Sequence, residues 1–549
     1  MTKRRTFADP SAPGWNPLTL AAAAGLWIAA LPNWPLWRAL LALPETASVR
    51  GAIFVIGFGL MIAALTTALL APFAWRATIK PAIALLLVAA ALGAHFMGSY
   101  GVVIDTTMMI NVVQTNPGEV RDLLNLRLAG SLLLLAVVPI ALMGWLPLCR
   151  VRWGAQALRN VIGLVAALLV LVALAFALFA DLSATMRNHR SMRYLINPAN
   201  SLYALADLAL QAKAQPAGPP TAIGADARVL PRAGGARPVL LALVVGETAR
   251  ADHFALNGYA RSTNPELSAL NVLSFRHVNS CGTNTAASLP CMFSHLGKAA
   301  YESRDREYEN LLDLAQRAGI AVLWLDNQAG CKGLCERVPN ASAHDVPAGV
   351  PPLPAGLCDG DECLDEALLH GLDERLAALP ATARERGVLL VLHQMGSHGP
   401  AYYKRSPPGR KPFAPECTTN VLQQCERGAL INAYDNSIAY TDHVLARTVQ
   451  WLQRQSVRYD PALLYVSDHG ESLGENNLYL HGLPYAVAPV EQKHVPMLLW
   501  APRPSACLQS RLDAPLTHDH LFHSVLGLLG VRASEYQPAL DAFAACRAP

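Results

Sequence analysis

Nearly all long apolar runs in this chain lie before residue 180, and that asymmetry constrains the fold more than any other feature. A helix needs roughly 20 apolar residues to cross a bilayer. Five stretches approach that length: Leu18–Leu36, Gly51–Phe73, Pro81–Phe96, Leu128–Leu146 and Val161–Phe179. Pro32, Asn33 and Pro35 interrupt the end of the first. A signal peptide is the rival reading of that stretch. However, a polar segment separates its basic start (Lys3, Arg4, Arg5) from the apolar core, and no small-residue cleavage site follows. A retained helix is therefore predicted. Only 15% of the 549 residues are charged, against about 25% in a typical soluble protein. These observations predict a five-helix transmembrane domain over residues 1–180.

Basic residues in short loops set orientation. Lys3, Arg4 and Arg5 precede the first run, Arg76 and Lys80 follow the second, and Arg150, Arg152 and Arg159 follow the fourth. The alternate loops hold Arg38 and Arg50, then Arg121 and Arg127. The bias predicts a cytoplasmic N-terminus, and five crossings then place everything after about residue 180 outside.

Cysteine usage points the same way. Ten of eleven cysteines follow residue 180, mostly as close pairs: Cys281/Cys291, Cys331/Cys335, Cys358/Cys363 and Cys417/Cys425. Such pairing reads as disulfides in an oxidising compartment. A zinc ribbon from Cys331, Cys335, Cys358 and Cys363 is the competing reading, but four thiolates are hard to keep reduced outside the cell. Cys507 and Cys546 suggest a fifth, longer-range bridge. A net charge of +4 gives no reason to expect a nucleic-acid partner.

The loop at residues 98–127 carries Asn111, Thr115, Asn116 and Glu119 and suits packing or substrate contact. Residues 181–237 comprise an apolar-rich, amphipathic connecting segment and a linker rich in Pro, Gly and Ala. From residue 238 to 549 short apolar runs alternate with helical patterns. The runs are Val239–Val245, Ile320–Leu325, Val388–Leu392, Leu463–Val466 and Val495–Trp500. Such alternation predicts an α/β sheet covered by helices, with ligands bound beyond the carboxyl ends of its strands. Three runs lead to Glu247, to Asp468-His469, and to His393-Gln394-Met395-Gly396-Ser397-His398. Glu, Asp and His are suitable zinc ligands. Singly, each is more often ordinary turn chemistry; their convergence raises the metal reading. Thr285, between Cys281 and Cys291, is either a helix N-cap or a metal-activated nucleophile, and the residues alone leave that choice open.

Three motifs then carry a resemblance. Val244-Val245-Gly246-Glu247-Thr248-Ala249-Arg250, the Thr285 loop ending Ser288-Leu289-Pro290-Cys291-Met292-Phe293, and Ser467-Asp468-His469-Gly470-Glu471-Ser472-Leu473-Gly474-Glu475 closely resemble the lipid A phosphoethanolamine transferases, which include the mobile colistin-resistance enzymes. The resemblance covers nearly the whole chain. It implies an alkaline-phosphatase/sulfatase-like domain in the periplasm of a bacterial inner-membrane enzyme. It also implies one tightly bound zinc held by Glu247, Thr285, Asp468 and His469, with a second zinc possible in principle.

Thr285 would take phosphoethanolamine from phosphatidylethanolamine and pass it to lipid A through a covalent intermediate. Asn111, Thr115, Glu119, Lys332, His398 and His481 match the family's substrate region, and a monomer is expected. One departure is visible: members commonly carry Ser three residues before this lysine, where this chain has Ala329. Alternatives within the fold are transfer to a core sugar or periplasmic glucan, or a phosphoglycerol transferase or phosphodiesterase. A sensor with structural zinc would favour four Cys/His ligands. A transporter would carry ionisable pairs within its spans.

Overall fold

The computed structural model describes residues 14–547 apart from 116, 215–217, 232–235, 361 and 504–505. Lys3, Arg4, Arg5 and Asn116, named above, lie outside the described residues. The chain forms two compact units, one of residues up to 109 with 124–208, the other of residues 110–123 with 209–549.

Among the described residues four helices of the first unit are long and apolar enough to cross a membrane, not five: Val49–Phe73, Ile79–Tyr100, Leu126–Trp145 and Trp153–Ala177. The first apolar run instead folds as helices α1 (Pro17–Ala30) and α2 (Trp34–Leu41). Fourteen residues of helix rise about 21 Å, short of a hydrocarbon core of about 30 Å. The break has a local cause. Pro32 and Pro35 cannot donate backbone hydrogen bonds, and Asn33 between them is wholly buried. Its Nδ2 donates to Ile28 O at 2.8 Å and Asn197 O at 2.6 Å, while Asn197 N donates to Asn33 Oδ1 at 2.9 Å. One face of α1, through Leu20, Ala21, Ala24 and Ile28, shares a core with Ile79, Ile83 and Leu87 of the Ile79–Tyr100 helix. Outward-facing Val161, Ile162, Val165, Leu169 and Phe176 on Trp153–Ala177 remain exposed. A continuous apolar surface of that kind suits lipid rather than water.

The second unit is built on an eight-stranded sheet. Numbered along the chain its strands are β1 (Val239–Gly246), β2 (Leu273–Asn279), β3 (Ala321–Asp326), β4 (Asn340–Ser342), β5 (Val388–His393), β6 (Asp460–Ser467), β7 (His494–Trp500) and β8 (Leu516–Thr517). Their spatial order is β8-β2-β7-β6-β1-β5-β3-β4. Strands β6, β1, β5, β3 and β4 run parallel, and β7 is antiparallel to both its neighbours. The predicted apolar runs all form strands; β2 was not among them. A strand buried on both faces is read as continuously apolar, and β1 is buried from Leu240 onward. Leu241, Leu243 and Val245 of β1 pack with Leu312, Phe522 and Val525 from covering helices. Within the stretch expected to link the domains, Arg228 and Val229 pair antiparallel with Arg532 and Val531.

Register fixes what meets at the carboxyl rim. Gly246 stands opposite Ser467, Val245 opposite His393, and Asp326 opposite His393 on its other side. Glu247, Asp468 and the His393–His398 turn therefore leave the sheet at one level.

Candidate metal centre and active site

Glu247, Asp468 and His469 are completely buried. Asp468 is oriented by its backbone, which donates to Gly246 O at 2.9 Å. Its Oδ1 accepts from His469 N at 2.7 Å and Thr248 N at 3.3 Å. Glu247 Oε2 accepts from Thr285 Oγ and from Gln328 Nε2, both at 2.9 Å. The remaining oxygens, Glu247 Oε1 and Asp468 Oδ2, accept no hydrogen bond from any described residue. Both face His469 Nε2, at 3.2 and 3.4 Å, and Thr285 Oγ lies 3.4 Å from the same nitrogen. His469 Nδ1 is 2.9 Å from Gly470 O, which holds the ring with Nε2 toward the carboxylates. Gly396 makes the enclosure possible. Its φ is +53°, and a Cβ there would lie 2.7 Å from Glu247 O.

These charges are unbalanced without a cation. Burial and the neighbouring Glu247 raise the Asp468 carboxyl to about 7. Burial disfavours His469's charge, but Asp468 and Glu247 outweigh it and lift the imidazole to about 10. Burial would likewise raise Glu247, yet His469 holds it below its ordinary value. A single imidazolium stands beside two carboxyl groups, and burial with Glu247 disfavours the second negative charge on Asp468. Two buried oxygens that face His469 Nε2 alone, that imidazole nitrogen itself and a hydroxyl close around one point, a donor set that fits zinc. Glu247, Asp468 and His469 each offer a ligand atom within 4.8 Å of the others.

Thr285 is the first residue of an eight-residue helix, α3 (Thr285–Met292). The residues alone left it competing with a plain N-cap. The cap is Asn284, whose side chain accepts from Ala287 N at 2.9 Å. The Thr285 hydroxyl is thereby left for Glu247 Oε2. Its helix N-terminus also favours an incoming phosphate. The loop is held by the Cys281–Cys291 disulfide, and Ser288 Oγ donates to Asp468 O. The other four expected bridges, Cys331–Cys335, Cys358–Cys363, Cys417–Cys425 and Cys507–Cys546, also form. Those pairings leave no thiolates for a ribbon.

The remaining expected residues take several positions. Ligand atoms of His398 and His481 fall within 4.8 Å of one another and of a Glu247 oxygen. His481 Nδ1 lies 3.1 Å from Glu471 Oε2, and its ring centroid is 4.4 Å from that of His469. Burial lowers the His398 imidazole to about 3, so it is neutral. Glu119 is half-buried, and burial, then Glu247, raise its carboxyl to about 7, opposed by Lys332, Arg405 and His481. Lys332 sits at φ +50° with Nζ donating to Ala329 O at 3.2 Å and Gln114 O at 3.5 Å. The Thr115 hydroxyl donates to Asn111 O at 2.8 Å and is turned back onto the preceding helix, Thr106–Gln114.

Sequence reasoning missed Gln328 and the pairing of His393 Nδ1 with Asp326 Oδ2 at 2.9 Å. Both Asp326 and Gln328 follow the recognised Ile320–Leu325 run, so the strand-end rule that found Glu247 could have found them.

A largely parallel sheet that gathers buried carboxylates, a histidine and a helix-borne threonine at one rim defines an alkaline-phosphatase/sulfatase-like domain. Residues 240–531 match the sulfatase family model, and residues 62–212 match the family described as phosphoethanolamine transferase EptA/EptB. The chain is 40% identical over 517 residues to phosphoethanolamine transferase EptA of Salmonella typhimurium, covering 90% of this chain and 89% of that one. It is 38% identical to phosphatidylethanolamine transferase Mcr-1 of Escherichia coli, covering 95% and 96%. The solved integral membrane lipooligosaccharide phosphoethanolamine transferase A of Neisseria meningitidis superposes with a TM-score of 0.89 at 32% identity, over 97% of this chain and 99% of that one. The chain belongs to the phosphoethanolamine transferase family and is an enzyme.

Proposed function

We propose that the chain transfers phosphoethanolamine from phosphatidylethanolamine to lipid A through Thr285, from a bacterial inner membrane with the catalytic unit in the periplasm. The observation that carries this reading is the 2.9 Å contact between Thr285 Oγ and Glu247 inside the buried ligand group. The relatives' names supply the transferred group, the phosphatidylethanolamine donor and a lipooligosaccharide acceptor. Disulfides and the basic loops at Arg76–Lys80 and Arg150–Arg159 support the periplasmic side.

Glu247, Thr285, Asp468 and His469 would hold a zinc ion, which when bound lowers a hydroxyl pKa and offsets charge on phosphoryl oxygens. Thr285 Oγ attacks phosphorus; the new P–O bond forms as the bond to the diacylglycerol oxygen breaks. Glu247 Oε2, already accepting the Thr285 proton, holds Oγ in place for attack. His481, oriented through Nδ1 by Glu471, would hand a proton to the leaving alkoxide. As Oγ attacks, its proton passes to Glu247 Oε2; in the second half an acceptor phosphate oxygen displaces Thr285 Oγ, which regains that proton from Glu247, and His481 is reprotonated from solvent. Glu119 meets the ammonium group and Lys332 the phosphate. Glu247, His398 and His481 offer a place for a second zinc.

The test is mass spectrometry of lipid A from cells expressing the protein. Wild type should add phosphoethanolamine and Thr285→Ala should not. Unmodified lipid A beside a modified core sugar or glucan would overturn the acceptor assignment. Transfer of phosphoglycerol, or hydrolysis alone, would overturn the transferred group.

A further inference from the structure

The short helix Pro117–Leu123 carries Glu119 and, three residues later on the same face, Asp122. Asp122 is only 5% exposed. Its Oδ2 pairs with Arg405 Nη2 at 3.0 Å, and Lys404 takes its other oxygen. Asn420 Nδ2 donates to the Asp122 carbonyl at 2.5 Å. Arg405 is itself buried. It donates Nε to His398 O at 2.9 Å and Nη1 to Glu362 Oε2 at 3.2 Å. Glu362 belongs to the hairpin closed by Cys358–Cys363. One rigid planar fork therefore joins the Glu119 helix, the His398 turn and a cross-linked hairpin. All three of its nitrogens have protein partners, so its contacts suit a positioning role rather than substrate contact.

We infer that Arg405 is a positioning residue which, through Asp122 and the His398 carbonyl, fixes the spacing between Glu119 and His398 and so sets selectivity for a primary ammonium headgroup. This rests on the proposed donor reading, in which Glu119 meets the ammonium. A lysine cannot replace the fork, because a point charge cannot hold three partners in fixed directions. A misplacement of one ångström in a group that orients the substrate can cost on the order of 10²-fold.

The experiment uses full-length protein in mixed micelles with fluorescent phosphatidylethanolamine and, separately, fluorescent phosphatidylcholine, reading diacylglycerol release. Wild type should prefer the primary amine, and Thr285→Ala should release nothing. Arg405→Met and Asp122→Asn should each reduce that preference about 10²-fold, mainly through KM, with zinc content unchanged. Arg405→Lys should fail to restore it. Asp122→Asn, being isosteric, decides the matter if Arg405→Met does not fold. A variant that keeps the wild-type preference, or loses kcat at unchanged KM, overturns the positioning role. Absence of diacylglycerol release from wild type would instead overturn the donor reading and this inference with it.

Discussion

Glu247, Asp468 and His469 leave neighbouring parallel strands in fixed register and are wholly buried, whereas Glu119, Lys332 and His398 approach the same rim from a short helix and two turns. In the first region the sheet dictates position, and two carboxylate oxygens are left without donors. In the second, position depends on side-chain ties such as Asp122–Arg405 and Lys332–Ala329. The difference teaches a division of labour: the strand-borne group suits charge development at phosphorus, and the loop-borne group suits recognition of the donor.

That division can be broken by substitution. The largest effect is expected from Asp468→Asn, which keeps the shape but weakens the ligand. Diacylglycerol release should fall on the order of 10⁴-fold in kcat, and elemental analysis should show zinc lost. Retained zinc with near-normal kcat would erase the distinction between the regions. Glu119→Gln should act on the other side of it, raising donor KM on the order of 10²-fold while kcat changes little.

Proton linkage sharpens the same comparison. The Glu119 carboxyl, raised to about 7 by burial and then by Glu247, is ionised above that pH. Binding of an ammonium headgroup should therefore strengthen as pH rises through about 7. Zinc beside Glu247 offsets one cause of the rise, so loading zinc should shift the inflection to lower pH. Titration of glycerophosphoethanolamine binding by calorimetry, with and without zinc, measures both; identical inflections would show that the regions are not coupled. The smallest effect is expected from Ala329→Ser. The added hydroxyl supplies at most one hydrogen bond, about 1 kcal/mol, and a few-fold fall in donor KM.

Much of the strand-borne region was legible in the sequence. Val239–Val245 and Leu463–Val466 are unbroken apolar runs ending in Glu247 and Asp468-His469, and burial on both faces of a parallel sheet writes that pattern. Strand β2 was not legible. Its sequence, Leu-Ser-Phe-Arg-His-Val-Asn, mixes buried Phe275 and Val278 with the partly or fully exposed Arg276 and His277, and lacks the apolar continuity of the central strands. The first apolar run was read as one span because its composition hides the break. The pairing of Asn33 with Asn197, 164 residues away, helps accommodate a buried polar turn there, beside its local bond to Ile28 O. The role of Asn284 as cap was equally hidden, since Asn284 and Thr285 are both good cap residues. Of the loop-borne region, the Val388–Leu392 run led to His398 and the polar loop drew notice to Glu119, whereas Lys332 was legible only through resemblance, because an isolated lysine in a turn has no period to read.

Thr285 is proposed to carry the transferred group. Purified protein should be incubated with phosphatidylethanolamine without acceptor, quenched in acid, and mapped by peptide mass spectrometry. One phosphoethanolamine on the peptide containing Thr285, absent from Thr285→Ala, is the predicted result. Diacylglycerol release with unmodified Thr285, or the adduct on another residue, would contradict the account.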